Sequence, residues 1–349
     1  MKNNLNSSYE KGKLVSTEHA LSSLKKLIQK SNGVHIDGLG CDLSAMNQIF
    51  IFAEKHLSSI DHYKNEFLYK FNNCLQTSRT NFSSKGEVKK RSDLVIVIDE
   101  NENNKFLDFL FSEKRIRKKK KIYFVTDKKI NCSRYEYVNP KNESSIDFCD
   151  FLYENIQKFG LVNTKTGLKK YDELFRRIID CKCGTIIFNS ENKSIYSIQR
   201  IIDLVNLLNN KKKKFTLFHV NPDENLAGAI QTSLWKTGFP LRVNFSEKGP
   251  IFNPFEYNSN SLNTQKDLQI FISCFNVNPK MNFFKKNIFI GSPDFRLKKE
   301  VDLFIPTSIP GFDENGLVVR SDNVCVEKLV SKNKSSLMSV KEIFSLLNA

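Results

Sequence analysis

Residues 215–257 read FTLFHVNPDENLAGAIQTSLWKTGFPLRVNFSEKGPIFNPFEY, and the rest of the chain is organised around this stretch. It begins with an apolar run typical of a buried strand, 215–220, and passes through a polar turn into a short helix that contains Ala and Gly. An aromatic and proline-rich segment follows, which holds the only tryptophan, Trp235. A connection this long and this apolar does not stay in water without packing partners. We therefore expect the segment to pack on something.

Apolar runs alternate with helical patterns outward from that stretch. Near-continuous apolar runs, of the kind that parallel sheets bury on both faces, occur at 33–39, 93–99, 121–126, 184–189, 215–220, 267–273, 287–290 and 302–306. Apolar residues at helical spacing occur at 17–28, 43–57, 144–158, 171–179 and 194–209. This alternation predicts an α/β fold of two Rossmann-like parallel-sheet units that face one another. Residues 317–320 and 324–329 predict a C-terminal β-hairpin, and 339–347 a closing helix.

Composition suggests the domain boundaries. Residues 1–16 are polar and rich in Ser, Asn and Lys, which predicts a flexible N-terminal arm. We expect the first Rossmann-like α/β unit at 17–160. The second unit, with the aromatic segment and the hairpin, is expected at 161–349, and the glycines at 160–167 suggest a hinge between the two.

The chain is basic: among 349 residues, 54 are Lys or Arg and 38 are Asp or Glu. Such an excess raises nucleic acid or an acidic surface as a partner. However, the densest runs, 114–121 and 211–214, directly precede apolar runs, where the C-terminus of a helix favours cations. We therefore favour a solvated rim, and an acidic subunit or a carboxylate-bearing ligand is the alternative. Because the cations are not interleaved with aromatic residues, we expect no nucleic-acid binding.

The cysteines and the hydropathy pattern indicate a compartment. The eight cysteines are scattered, without CxxC pairs or zinc-type Cys/His spacing. Cys181 and Cys183 are close enough for a metal or disulfide role, but small buried residues are the favoured interpretation. The first twenty residues lack an apolar signal region, and no window approaches the roughly 18 apolar residues of a membrane span. We expect a cytoplasmic protein with reduced thiols and no membrane contact.

No catalytic motif stands out in the sequence. The turn at 38–40 contains Gly-x-Gly, but Leu43 occupies the third position of a dinucleotide fingerprint. His219 ends a predicted strand, where α/β proteins place ligand-binding residues, although a structural histidine is the favoured interpretation. Three charged residues beside a glycine turn suit either a charged-group site or, as we favour, a solvated turn: Asp313, Glu314 and Arg320.

The strongest functional signal is the aromatic segment itself. Trp, Phe, Tyr and Arg are the residue types that subunit interfaces concentrate. Our candidate interface residues are Trp235, Phe239, Arg242, Phe245, Phe252 and Phe255. Three placements stay open for the segment: the core of this protein, a subunit interface or a ligand pocket.

Several sequence elements occur in a recognisable order. They are GVHIDGL at 33–39, GEVKKRSD at 86–93 running into DLVIVID, TSLWKTGFP at 232–240, VNFS at 243–246, FNP at 252–254 and the segment 301–322. This order resembles the B subunit of formylmethanofuran dehydrogenase, which belongs to the molybdopterin oxidoreductases. Within that family it is most similar to the bacterial version in the formyltransferase/hydrolase complex. The resemblance covers most of the chain from about residue 18 to 330.

Departures from the family pattern bear on cofactors. The redox members begin with a cysteine cluster for an iron–sulfur centre, whereas the first cysteine here is Cys41. They also ligate tungsten or molybdenum through a Cys-His-Gly motif, and the ungapped equivalent here is Phe67-Leu68-Tyr69. Cys74 lies seven positions from Phe67. Because a phenyl ring cannot replace a thiolate ligand, we expect both the molybdopterin and the iron–sulfur cluster to be lost.

The resemblance implies a non-redox structural subunit without an active site of its own. The bacterial complex moves a formyl group from formyltetrahydromethanopterin to a methanofuran-like carrier and hydrolyses it to formate in one-carbon oxidation. Sister subunits of the A, C and D types, which carry formyl transfer and zinc-dependent hydrolysis, are the expected partners. The alternative is a molybdopterin-dependent catalytic subunit that retains its cofactor, with Cys74 as a shifted ligand.

Overall fold

The computed structural model describes residues 6–99, 107, 120–126, 135–138, 145–161, 169–191, 193–261 and 266–349. Cys132, most of the basic run 114–121 and most of the predicted hinge 160–167 lie outside the described residues. The chain divides into two compact units, Met1–Asn65 with Pro222–Ala349, and Glu66–Asn221. No helix among the described residues is long and apolar enough to cross a membrane.

The described strands are β1 (Ser8–Glu10), β2 (Lys13–Val15), β3 (Val34–Gly40), β4 (Ser59–Ile60), β5 (Leu94–Ile98), β6 (Lys121–Val125), β7 (Glu136–Val138), β8 (Gly184–Phe188), β9 (Phe215–His219), β10 (Val243–Ser246), β11 (Gly249–Phe252), β12 (Leu268–Ser273), β13 (Lys286–Gly291), β14 (Leu303–Pro306), β15 (Gly316–Val319) and β16 (Val326–Leu329). The described helices are α1 (Thr17–Gln29), α2 (Leu43–Lys55), α3 (Asn65–Thr77), α4 (Lys85–Lys90), α5 (Ser145–Phe159), α6 (Lys169–Asp180), α7 (Ile195–Asn210), α8 (Leu226–Thr237) and α9 (Val340–Asn348).

The unit Glu66–Asn221 is built on a parallel sheet with the strand order β7-β6-β5-β8-β9. Every residue of β5 and β8 is buried, which explains why these two runs are apolar without alternation. Strand order reverses between β5 and β8. Strands β6 and β7 lie on one side of β5, whereas β8 and β9 lie on its other side.

The other unit holds a mixed sheet with the order β11-β10-β4-β3-β12-β13-β14-β1-β2. Its centre, from β4 to β14, is parallel, and antiparallel strands flank it on both sides. Strands β15 and β16 pair separately as a hairpin. The α/β fold class, with parallel sheets and a C-terminal hairpin, is therefore confirmed.

The pairing of β3 with β12 corrects the predicted domain boundaries. We expected units at 17–160 and 161–349, yet β3 pairs with a strand more than two hundred residues later in the sequence. The chain leaves this unit after Asn65 and returns at Pro222, so 66–221 is an insertion. Hydrophobic patterns locate strands but do not specify which strands pair, because parallel pairing is non-local.

The N-terminal arm is also corrected in part. Residues 8–15 form the hairpin β1–β2, and β1 adds to the sheet beside β14. Lys11 and Gly12 take positive φ angles of 46° and 75°, which makes the tight turn. Tyr9 is buried and its ring lies 6.2 Å from that of Phe304. Backbone pairing with β14 and the burial of Tyr9 therefore order a segment whose composition predicts a loose arm.

A phenylalanine cluster fills the core beside β12, β13 and β14. The rings of Phe289 and Phe295 stack with centroids 3.6 Å apart, and Phe271 and Phe304 pack against them. All four are fully buried. Because a buried phenylalanine removes a large apolar area from water, this cluster contributes much of the stability of the parallel sheet.

Gly38 provides a test of the β3–β12 pairing. Its φ is +85°, and an added Cβ would lie 2.4 Å from the carbonyl oxygen of Ile272. We expect Gly38→Ala to lower the free energy of unfolding by roughly 2–4 kcal/mol, through backbone strain and overpacking. Urea titration followed by circular dichroism measures this change.

Gly86→Ala is the matched control, because a Cβ there meets only the Ser84 hydroxyl at 3.9 Å. It lies inside helix α4, where alanine is favoured over glycine by about 0.5–1 kcal/mol. Equal effects of the two substitutions would contradict the close approach of β3 and β12.

Candidate subunit interface

Helix α8 carries the tryptophan on its solvent side. Its apolar residues from Leu226 to Ile230 are buried, whereas Leu234 and Trp235 near its end are 42% and 65% exposed. Gly238, with a φ of +80°, ends the helix in the left-handed conformation, and its N–H donates to the carbonyl of Leu234. An amphipathic helix therefore presents its bulkiest residue to water.

The segment after α8 continues this exposed apolar surface. The rings of Phe239 and Phe252 stack in parallel with centroids 5.3 Å apart, which joins the end of α8 to strand β11. Ile251 is 45% and Phe255 75% exposed. We define the aromatic surface as Leu234, Trp235, Phe239, Ile251, Phe252 and Phe255. Four of the six residues predicted for an interface are among them.

Arg242 and Phe245, the other two predicted interface residues, lie inside the protein. Both are 4% exposed. Strand β10 pairs with β4 on one side and β11 on the other, so its alternate residues face the core. The Phe245 side chain packs inward for this reason. Neither residue is available to a partner, and the prediction is corrected for these two positions.

Arg242 anchors the loop that bears Phe255. Its Nη1 donates to the carbonyl of Pro254 at 2.8 Å, and its Nε lies 3.6 Å from the Asp61 carboxylate. Asp61 also accepts from the backbone N–H of Ser259 at 3.3 Å and from the Asn65 amide at 2.9 Å. Burial raises the pKa of Asp61, while Arg242 and these hydrogen bonds act in the opposite direction. The buried ion pair thus ties loop 253–261 to the end of β4.

Two more ionisable groups lie beneath that loop. The His35 ring contacts the hydroxyls of Ser59 at 3.0 Å and Ser259 at 3.2 Å, and burial lowers its pKa to about 3. Asp37 accepts from the N–H of Gly38 at 2.6 Å. Burial, and then the charge of Asp61, raise the pKa of Asp37 to about 7. At neutral pH, His35 is therefore uncharged and Asp37 is partly protonated.

Glu224 forms a second buried polar cluster, which the sequence did not reveal. Its carboxylate accepts from Ser273 at 2.8 Å, from Asn276 at 2.9 Å and from Tyr63, and Lys64 Nζ lies 3.2 Å away. Burial opposes ionisation, but these donors lower the pKa of Glu224. The cluster joins the carboxyl ends of β4 and β12. Asn221-Pro222-Asp223 suggested only a turn here, and no local pattern identifies the distant donors.

The other charged candidates do not converge on one site. Arg320 makes a bidentate pair with Asp322 at 2.7 and 2.8 Å, and Asp313 accepts from the N–H of Ile309 at 3.1 Å. Glu314 lines a cleft of about 610 Å³. Burial raises the pKa of Glu314 to about 7. No group of three His, Cys, Asp or Glu side chains in the described part of the chain has a geometry for binding a metal ion.

His219 occupies a structural position in the unit Glu66–Asn221. Its Nε2 lies 2.8 Å from the Ser190 hydroxyl and its Nδ1 lies 2.6 Å from Oδ1 of Asn221. The ring stacks on Phe71 with centroids 4.3 Å apart, and burial lowers the pKa to about 4. Both ring nitrogens have partners, which agrees with the favoured interpretation of a structural histidine.

Cys74, the only cysteine near the ligand position of the redox family, lies on helix α3. It is 2% exposed, and its Sγ lies 3.5 Å from the carbonyl of Ile195. Burial raises the pKa of the thiol, which disfavours the thiolate form that binds metals. Leu68, which follows Phe67 on the same helix, is also buried.

The fold of this chain is shared with a protein of known structure. Chains of this α/β architecture include one in the formyltransferase/hydrolase complex (FhcABCD) of Methylorubrum extorquens, solved by X-ray crystallography in complex with methylofuran. The TM-score is 0.82 at 15% identity, with 98% of this chain and 97% of that chain covered. At this identity the likeness shows a shared fold.

Sequence comparison identifies two similar proteins. No family model matches the chain. It is 28% identical over 160 residues to the B subunit of tungsten-containing formylmethanofuran dehydrogenase 2 from Methanococcus maripaludis, covering 43% of this chain and 36% of that protein. It is 22% identical over 294 residues to the protein of the same name from Methanocaldococcus jannaschii, covering 75% of this chain and 66% of that protein. The alignments thus span about a third and just under two thirds of these relatives, and the resemblance to the B subunit of formylmethanofuran dehydrogenase is confirmed.

The Arg242 anchor gives a stability prediction. Arg242→Met keeps the apolar stem but leaves the Asp61 carboxylate without its ion-pair partner and the Pro254 carbonyl without the Nη1 donor. We expect a loss of about 3 kcal/mol or more in the free energy of unfolding, because a buried charge left without its partner is costly. Urea titration measures it. Arg296→Met, at an exposed position, is the control and should change stability by less than about 0.5 kcal/mol. Equal losses would contradict the anchor.

The pKa of His35 predicts how stability depends on pH. The imidazole titrates near 6.5 in the unfolded chain but at about 3 in the folded protein. The folded state therefore binds fewer protons between these values, and stability falls as the pH falls below 6.5. The effect of Asp37 on stability has the opposite sign. Folding raises its pKa from 3.8 to about 7, so its contribution to stability falls as the pH rises from 3.8 to about 7.

His35→Gln isolates the histidine contribution. Between pH 6.5 and pH 5 the variant should lose less stability than the wild type, by up to about 1.4 kcal/mol per pH unit. Urea titrations at several pH values measure this difference. Ser59→Ala is the control, since it removes a hydrogen bond to His35 but keeps the titrating ring. It should lower stability and retain the wild-type dependence of stability on pH. If His35→Gln also showed the wild-type dependence, the assignment of this pH effect to His35 would be contradicted.

Proposed function

We propose that this chain is a non-redox structural subunit of a formyltransferase/hydrolase-type complex, related to the B subunit of formylmethanofuran dehydrogenase. The complex would convert formyltetrahydromethanopterin to formate through a methanofuran-like carrier in one-carbon metabolism. The observation that carries the proposal is the identity of the residues at the position where the redox family binds its metal. Phe67, Leu68 and Tyr69 occupy that segment and offer no thiolate.

The residues near that segment do not fit the metal of the redox family. Cys74 would have to break its contact with the Ile195 carbonyl and ionise in a buried setting that raises its thiol pKa. Asn65 begins helix α3 and Thr77 ends it, so the backbone at Cys74 is helical. We therefore assign no redox step to this chain.

The aromatic surface supports the structural role. Monomeric proteins rarely expose several large apolar groups on neighbouring elements unless a partner covers them. Trp235 and Phe255 are the most exposed members, and tryptophan is the residue type that most often dominates the energy of an interface. The buried anchor at Arg242 holds the Phe255 loop in place, which reduces the entropy lost when a partner binds. Sister subunits of the A, C and D types are the proposed partners.

The experiment compares assembly with folding. Trp235→Ala, in a tagged chain expressed in its native host, should reduce the yield of co-purifying formyltransferase and hydrolase subunits at least about tenfold, because truncating an interface hot spot typically costs 2 kcal/mol or more. The isolated variant should unfold within about 1 kcal/mol of the wild type, since the side chain is largely exposed.

Phe283→Ala is the matched control. Phe283 is 48% exposed, lies in the same unit and is outside the aromatic surface. It should leave assembly unchanged. Equal assembly yields for wild type and Trp235→Ala, or a loss of folding in Trp235→Ala that accounts for the loss of assembly, would contradict the proposed surface.

A further inference from the structure

The parallel sheet of the unit Glu66–Asn221 gathers cations that are dispersed in the sequence. In a parallel sheet the amino ends of all strands lie at one edge. Basic residues directly precede or begin four neighbouring strands: Lys89, Lys90 and Arg91 before β5, Lys120 and Lys121 at β6, Lys182 before β8, and Lys211 to Lys214 before β9. We call these ten residues the basic edge.

The basic edge holds more positive charge than the helix ends nearby require. Among the described residues, the acidic residues at the same edge are Glu87, Asp93, Glu136 and Asp180, so the ten basic and four acidic residues leave a formal excess of six positive charges. Helices α4, α6 and α7 end there, and each helix C-terminus carries about half a negative charge. Together they account for roughly 1.5 of the six charges. Compensation of helix dipoles, which the sequence alone favoured, therefore explains only part of the edge.

Three of the four acidic residues are held in local contacts. Asp93 accepts from the backbone N–H groups of Lys182 and Cys183, both at 2.9 Å. Glu87 closes the capping box of α4 with Ser84, and Glu136 lies 3.4 Å from Lys121. These carboxylates contribute to local structure, and two of them pair with cations of the edge: Glu87 with Arg91 at 3.3 Å and Glu136 with Lys121.

The lysines differ in their exposure. Lys120 and Lys213 are half-buried and donate to the backbone carbonyls of Ser92 and Ile179. The ammonium groups of such residues are fixed by the protein. Lys182 is exposed, as are three residues of the loop before β9: Lys211, Lys212 and Lys214. The edge thus combines a fixed inner row with an outer row that is accessible to a partner.

We propose that the basic edge is a docking surface for the acidic surface of a partner protein. Nine of the ten cations are lysines, whose compact ammonium groups pair with carboxylates, whereas recognition of phosphate and nucleic acid favours the fork of arginine. Within 89–91 and 211–214 the cations are consecutive in the sequence, without aromatic residues between them that would stack on bases. This surface lies on a different unit from the aromatic surface, and the inference does not depend on the proposed function.

Two polyanions of matched total charge test the inference on the full chain: poly-L-glutamate as a carboxylate surface and a DNA duplex as a phosphate one. Fluorescence anisotropy at physiological ionic strength should show binding of poly-L-glutamate that weakens as salt is added. The variant Lys182→Gln/Lys211→Gln/Lys212→Gln/Lys214→Gln should bind it at least about tenfold more weakly, because the outer row supplies the local field.

A charge-matched control separates the edge from the overall positive charge. Lys25→Gln/Lys26→Gln/Lys30→Gln/Lys248→Gln removes four exposed lysines of the other unit and the same net charge. It should weaken binding by less than about twofold. Equal weakening by the two variants, tighter binding of the duplex than of poly-L-glutamate, or no binding at physiological ionic strength would each overturn the inference.

Discussion

The parallel pairing of β3 with β12 is the contact on which the rest of the molecule depends. It joins residues 34–40 to 268–273, and thereby makes the whole unit 66–221 an insertion between two halves of one sheet. The pairing requires Gly38, whose position leaves no room for a side chain beside the Ile272 carbonyl. Strands β4 and β10 then extend the sheet on one side. The aromatic segment reaches its place only because β10 pairs with β4.

Buried polar groups decide what the aromatic segment shows to solvent. Arg242 and Asp61 hold the chain on the inside, and the same segment turns Trp235 and Phe255 outward. Such buried pairs contribute little net stability compared with an apolar core, but they define one conformation, since any alternative would leave a charge without a partner. The surface is therefore presented as a fixed shape. A fixed apolar shape is suited to a stable subunit contact.

The sequence predicted local structure well and long-range structure poorly. Strands such as 94–98 and 215–219 and the C-terminal hairpin were evident, because burial on both faces and glycine turns leave local patterns. Short elements such as β4 and β10 were missed, since two to four residues carry no period. The sequence identified the exposed aromatic residues of the candidate interface. It also assigned Arg242 and Phe245 to that interface, although both are buried. Residue type cannot distinguish a buried anchor arginine from an interface arginine. The two differ in their partners, such as Asp61, which lie far away in the sequence.

The most direct test of the proposed role is the metal and subunit content of the native protein. The tagged chain would be purified from its own host, with molybdenum, tungsten and zinc measured by mass spectrometry and the co-purifying proteins identified. The proposal predicts formyltransferase and hydrolase subunits, with zinc and without stoichiometric molybdenum, tungsten or pterin. Elution of the chain without such subunits and with a pterin and one equivalent of molybdenum or tungsten would show instead that it is a redox enzyme with an altered ligand.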